Sequence, residues 1–180
     1  SFVLGDEDEQ GDPTPKRIIT SSVEHPAISN TCEWASKRRG VKLSILPVDE
    51  EGLISVKTLR EELEKCPEQK VLVSIMWANN ETGLINPIHD LVRAAKQLRP
   101  NVGDLIFHTD AVQAIGKVEV NARKSGVDAM TIAAHKFHGP KGVGALYLKA
   151  GVPLTPLLHG GEQMGGKRAG TVNVAGAVGM

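Results

Sequence analysis

The sequence predicts an α/β fold: a mostly parallel sheet with helices on both faces. Three observations predict it. Strand-length apolar runs alternate with longer segments of helical character. The run KVLVSIMWA at 70–78 is apolar almost throughout and rich in β-branched residues, as a strand buried on both faces requires. The segments between are punctuated by helix start and stop residues, among them Pro26, Gly40 and Ser55.

Taken in order, RIITSSV (17–23) reads as a strand and PAISNTCEWASKRRG (26–40) as a helix that starts at Pro26 and stops at Gly40. VKLSILPV (41–48) is a strand and DEEGL (49–53) a turn, after which Ser55 caps a helix over 56–65. The buried strand at 70–78 follows, then a helix at 87–99. LIFHT (105–109), DAMTIAA (128–134) and VGALYLK (143–149) are further strands. Such alternation implies right-handed βαβ crossovers. No internal repeat is present. Residues 1–16 read as an N-terminal loop, the length suggests one domain or slightly more, and 159–176 is a Gly-rich tail, HGGEQMGGKRAGTVNVAG.

The chain has 21 basic and 21 acidic side chains and a formal net charge of zero, so it carries no basic footprint for nucleic acid and no polybasic membrane anchor. No apolar run approaches the roughly 20 residues that span a bilayer. The acidic start, SFVLGDEDEQGD, has no signal-peptide pattern, and two cysteines, Cys32 and Cys66, make no disulfide framework. A cytoplasmic location is the expectation.

In a parallel sheet, ligands bind beyond the carboxyl ends of the strands. That rule selects Ser22-Val23-Glu24-His25, Ala78-Asn79-Asn80-Glu81-Thr82-Gly83, Asp110-Ala111-Val112-Gln113 and His135-Lys136. Each has a plain structural alternative. His25 can be a helix-start residue, Asn79-Asn80 with Gly83 a turn, and Asp110 a helix cap. His89 and His138 are read as structural, as are both cysteines. Lys136 is the most pointed case, because a desolvated ammonium at the end of a buried strand is costly.

Three chemistries compete for this set. His108-x-Asp110 and His135-x-x-His138 have ligand-like spacing for a metal, but Lys136 would stand a cation beside it, and the reading is set aside in favour of no metal. Gly161-x-x-x-x-Gly166-Lys167 approaches a Walker-type phosphate loop, but Arg168 replaces the hydroxyl residue that would hold magnesium. Pyridoxal phosphate needs a lysine for a Schiff base and a carboxylate for its pyridinium nitrogen, and Lys136 and Asp110 supply both.

TSSVEH (20–25), ANNETG (78–83), HTDAVQAIGK (108–117), AHKFHGPKGVGALY (134–147) and RAGT (168–171) together resemble the cysteine desulfurase and selenocysteine lyase family. These are pyridoxal-phosphate enzymes of the class V aminotransferase group. The match runs from about residue 17 to the end, in order. ITSSVEH, ANNETG and HTDA resemble selenocysteine lyases somewhat more than the housekeeping desulfurases.

The resemblance implies the large domain of a fold-type I pyridoxal-phosphate enzyme. It implies removal of selenium or sulfur from L-selenocysteine or L-cysteine to leave L-alanine, with a selenium or sulfur acceptor protein as partner. Lys136 would bond the cofactor and carry protons. Asp110 would keep the ring nitrogen protonated, and Gln113 and Asn80 would lie on the ring's oxygen edge. His25 would stack on the ring, His135 would reach the phosphate, and Thr171 would reach the phosphate of the neighbouring subunit in a homodimer. Two departures stand out. Ala133 occupies a position where many members carry a hydroxyl phosphate ligand. The family's N-terminal phosphate turn and its C-terminal small domain, with a reactive cysteine and a carboxylate-gripping arginine, are not in these 180 residues. The chain therefore reads as the central part of a large domain, incomplete by itself. The alternatives are another class V aminotransferase or a non-catalytic dimerisation fragment.

Overall fold

A computed structural model of the chain describes residues 15–68, 70–101 and 103–180. The expected loop at 1–16 thus lies almost wholly outside the described residues. Its last residue, Lys16, already works as sheet: its N–H donates to the Lys70 carbonyl, and its carbonyl accepts from Lys42.

Among the described residues the strands β1 (Arg17–Ser21), β2 (Lys42–Leu46), β3 (Val71–Ser74), β4 (Leu105–Asp110), β5 (Ala129–Ala133) and β6 (Gly144–Leu148) form one sheet in the order β2-β1-β3-β4-β5-β6. β1 to β5 are parallel and β6 is antiparallel to β5. Helix α1 (Pro26–Arg39) joins β1 to β2, α2 (Val56–Lys65) joins β2 to β3, and α3 (Ile88–Leu98) joins β3 to β4.

The two sheet faces are covered unequally. The larger core takes Ile19, Val73, Ile75 and Phe107 from one face and packs them against Leu59 and Leu63 of α2 and Ile88, Leu91 and Ala95 of α3. On the other face, Ile18 and Leu72, with Ile106 beside them, meet Cys32 and Ala35 of α1. Helices therefore lie on both faces, as the alternation predicts. The direction of travel across the sheet reverses with the face: α1 carries the chain one way, α2 and α3 the other. All three crossovers then share one hand, as strand twist requires. The reversal sets β1 and β3 side by side as the point where the chain turns outward in both directions.

The helix ends follow their sequence signals. Ser55 accepts from the Thr58 N–H at 3.0 Å. α1 ends on Gly40 in the left-handed region at φ 64°, where a glycine stops a helix without strain. The strand ends differ from expectation. The apolar run at 70–78 is ladder only over Val71–Ser74, although Ile75, Met76, Trp77 and Ala78 stay buried. Ile75 N–H still donates to His108 and Trp77 N–H to Asp110, so the backbone remains satisfied while it bends towards an isolated bridge between Ala78 and Ile85. β1 and β2 are also shorter than their apolar spans. Two short helices, α4 (Ala122–Ser125) and α5 (Val174–Gly179), had no periodic signal; α5 replaces the last part of the expected Gly-rich loop.

A buried amide organises the bend after β3. Asn86 Oδ1 accepts from the Ile54 N–H at 3.1 Å and its Nδ2 donates to the Met76 carbonyl at 2.9 Å. It is 3% exposed, so no water replaces either bond. Asn86→Ala is expected to leave a buried donor and acceptor unpaired and to lower stability by about 2–4 kcal/mol in urea denaturation.

Candidate functional site

Along the α1 face of the sheet the side chains change character from one end of the strands to the other. Ile18, Leu72 and Ile106 are followed two residues on by Thr20, Ser74 and His108, and β4 adds Asp110 after another two. Register pairs Ser74 with His108 and Asp110 with Thr131. The result is a buried polar layer just below the carboxyl ends of the strands. Ser74 Oγ meets His108 Nδ1 at 2.9 Å, and Thr131 Oγ1 meets Nε2 at 3.3 Å. Burial pushes His108 down to about 4, so its imidazole is neutral.

This geometry bears on the His108-x-Asp110 spacing. β4 runs through to Asp110, so His108 and Asp110 do share a face. Both ring nitrogens of His108 are nevertheless committed to hydroxyls, and no group of three or more metal-ligating side chains occurs among the described residues. The Walker-type reading fails on local structure: 161–166 lies in a run of bends and turns, with no strand leading in and no helix leading out.

At the end of β1, Ser21 Oγ donates to Glu24 Oε1 at 2.6 Å, and the Met76 N–H donates to the same oxygen at 2.9 Å. Glu24 thus ties β1 to the chain leaving β3. A second tie runs from Asn79 Nδ2 to the Val23 carbonyl at 3.0 Å. Burial raises Glu24 to about 7, against both hydrogen bonds and with the charge of Asp110 adding to the rise.

His25 is the N-cap of α1. Its Nδ1 accepts from the Ala27 N–H at 3.1 Å, so the neutral ring carries its proton on Nε2. Asp110 is 9% exposed, and its Oδ1 accepts from the Val112 N–H at 2.9 Å. The chain beyond it forms turns, so Asp110 holds a turn and not the helix start that the sequence offered. Burial raises its carboxyl, opposed by the Val112 N–H.

Asn79, not Asn80, is the keystone of the loop after β3. Its Oδ1 accepts from Glu81 and Thr82 while its own N–H donates to Leu84. Asn80 is left exposed beside it. Gln113 is half-buried, with its carbonyl oxygen accepting from Lys117 Nζ. His89 stays structural: its ring stands edge-on to Trp77 at 6.0 Å.

Beyond β5 the chain turns through a 3₁₀ segment, Ala134–Lys136. Gly139 packs so closely on Ala134 that a Cβ there would stand 2.8 Å from the Ala134 Cβ. This turn puts His135 and Lys136 outside the strand, both exposed. The desolvation cost expected for Lys136 therefore does not arise. Thr171 lies exposed in the tail, where the neighbouring Gly170 N–H donates to Gln163 Oε1, and it takes no part in the polar layer. Sequence reasoning missed His108, Glu24 and Asn86 as organisers; a polar residue inside an apolar strand was the signal for the first.

The donor set suits a pyridine-ring cofactor with a phosphate. Asp110 is a buried acid with its Oδ2 in no hydrogen bond among the described residues. Lys136 is a free-standing amine at the next strand end, and Asn80 and His135 are exposed polar groups on the same edge.

Similar sequences and a similar fold occur in known proteins. The aminotransferase class-V family model matches residues 10–180. The cysteine desulfurase IscS of Dictyoglomus turgidum is 50% identical over 165 residues, 92% of this chain and 40% of that protein. A cysteine desulfurase of Cereibacter sphaeroides is 45% identical over 169 residues, 94% of this chain and 42% of that protein. Among solved structures, a NifS-like protein superposes with a TM-score of 0.83 at 43% identity, covering 92% of this chain and 43% of that one. SspA in complex with cysteine superposes with a TM-score of 0.82 at 35% identity, covering 92% and 46%. The chain spans about two fifths of the length of the curated relatives it matches.

His25 has a structural duty separable from any chemistry. His25→Ala is expected to cost about 1 kcal/mol by loss of the cap, and His25→Asn to restore most of it, measured by urea denaturation without cofactor. Equal stability of the three proteins would remove the capping role.

Proposed function

The chain belongs to the class-V aminotransferase family, whose members depend on pyridoxal phosphate, and on that premise we propose that it is the cofactor-binding core of a cysteine desulfurase. The protein would remove sulfur from L-cysteine, leave L-alanine and hand the sulfur to an acceptor protein. One observation carries the reading: a buried acid with a free oxygen, Asp110, ends β4, and an exposed lysine, Lys136, follows the end of the adjacent parallel strand β5.

When bound, pyridoxal phosphate supplies a conjugated ring that draws electrons from the substrate's α-carbon. Lys136 would hold the cofactor covalently and, once released by substrate, move a proton at the α-carbon. Asp110 would present Oδ2 to the ring nitrogen and keep it protonated. His25, fixed through Nδ1, has Nε2 available to cover the ring face and pass a proton. Gln113 and Asn80 would bond the ring's oxygen edge. His135 would hold the phosphate together with Thr171 of a second copy, which makes the working unit a homodimer.

Neither cysteine suits the sulfur-accepting step. Burial pushes the Cys32 thiol up to about 11, and Cys66 is also raised, buried first and hydrogen-bonded to Glu68. The accepting thiol is therefore assigned to a residue other than these two. Free cysteines fit a cytoplasmic protein. L-Selenocysteine is the second reading, supported by the ITSSVEH, ANNETG and HTDA motifs; the relatives' own names favour cysteine. Alanine release from each amino acid under equal conditions separates the two.

Two outcomes test the assignment. Borohydride treatment of the yellow holoprotein should fix the cofactor on Lys136 in peptide mapping; a label on Lys117 or Lys141 would overturn it. Asp110→Ala in the intact protein should lower alanine release by at least about 10²-fold while some cofactor still binds. Near-normal turnover would remove Asp110 from its role.

A further inference from the structure

Oε2 of Glu24 is the only buried side-chain polar atom among the described residues without a hydrogen-bond partner. The residue is 8% exposed, and its other oxygen, Oε1, already takes two donors, Ser21 Oγ and the Met76 N–H. It sits where the sheet reverses, between the ends of β1 and β3. Among the described residues, Asp110 on β4 and Cys32 on α1 are the ionisable groups coupled to it; His25 is its chain neighbour, and His108 belongs to the α1 face of the sheet. His108 is neutral and Cys32 holds its proton, so neither offers Glu24 a compensating charge.

A carboxylate in this position would bury a charged oxygen with no donor, next to a second acid. The neutral form removes both costs. Because Oε1 is occupied as a double acceptor, the proton belongs on Oε2. Asp110 differs in one respect: its unbonded oxygen is not sealed from solvent, whereas Oε2 of Glu24 is.

We propose that Glu24 is a positioning residue that works as a neutral acid: Oε1 clamps the ends of β1 and β3, and the proton on Oε2 leaves Asp110 as the single negative charge of the polar layer. The consequence for the cofactor rests on the proposed role of Asp110. The state of Glu24 itself does not, and it is measurable without cofactor. Burial supports the neutral form by raising Glu24 from its ordinary 4.5 to about 7. Between those two values the unfolded chain sheds the proton and the folded chain keeps it. Stability contributed by the neutral acid is therefore whole below about 4.5 and is lost as the pH rises to about 7.

The test compares intact wild-type and Glu24→Gln proteins, both free of cofactor. Glutamine keeps the two bonds to its carbonyl oxygen and cannot ionise. Infrared difference spectra at pH about 6 should show a protonated carboxyl band in the wild type that the variant lacks. From pH about 5 to 8 the variant's folding equilibrium constant should rise relative to wild type by on the order of 100-fold. If the variant does not fold, carbon NMR of wild-type protein with labelled glutamate should still show one carboxyl titrating near 7. Absence of the band at pH 6, parallel stability curves, or no such resonance would overturn the proposal. Should pyridoxal phosphate bind neither protein while the band and the curves behave as stated, the proposed function falls and the neutral acid stands.

Discussion

β1 to β5 run in one direction, so five strand ends arrive at the same edge of the sheet, and a parallel ladder offers no hairpin there to tie them together. The side chains at that edge must do the tying. Glu24 and Asn79 bridge β1 to the exit of β3, Ser74 and Thr131 hold His108 across β3, β4 and β5, and Thr20 and Thr109 donate to the carbonyls of Ser74 and Ile75. Each bond in this layer is worth little by itself. Left unmade in a buried place, each would be expensive. The layer therefore fixes the height and orientation at which Asp110 and the 3₁₀ turn carrying Lys136 emerge.

The opposite edge of the sheet is held by charge. Arg17, at the start of β1, donates to Glu68, Glu62 and Ser44, while Lys42 pairs with Glu68 at 2.7 Å. The hydrogen bond from Arg17, and then that from Lys42, holds the Glu68 carboxyl well below the usual carboxylate range. Arg99 from the end of α3 closes the cluster by donating to the carbonyls of Leu63, Cys66 and Glu68. On the far side of β4, Asp128 accepts from the Phe107 N–H and from Lys96. One edge is thus held by ion pairs, and the other by hydrogen bonds among buried polar side chains.

Past β6 the chain changes character. Leu157, Leu158, Met164, Val174 and Val178 are all at least half exposed, and Ala169 and Gly176 are the buried points of that stretch. Apolar surface gathered in one segment is a mark of contact with other protein.

The α/β class, the parallel sheet and the helices α1, α2 and α3 are legible in the chain, because apolar periodicity and capping residues are local signals that burial only reinforces. The sequence also placed His25, Asp110, His135 and Lys136 at strand ends, since that follows from element order alone. It did not show where β3 stops, because the apolar residues Ile75 to Ala78 are buried whether or not they stay in the ladder. Nor did it show α4 and α5, which are too short to display a period. That Asn79 builds the loop while Asn80 faces outward, that Lys136 clears the buried strand, and that Glu24 and Asn86 are organisers came from long-range contacts. These depend on which backbone groups of distant strands come within bonding distance. Met76, fifty-two residues from Glu24, supplies the N–H that makes an ordinary glutamate into a clamp.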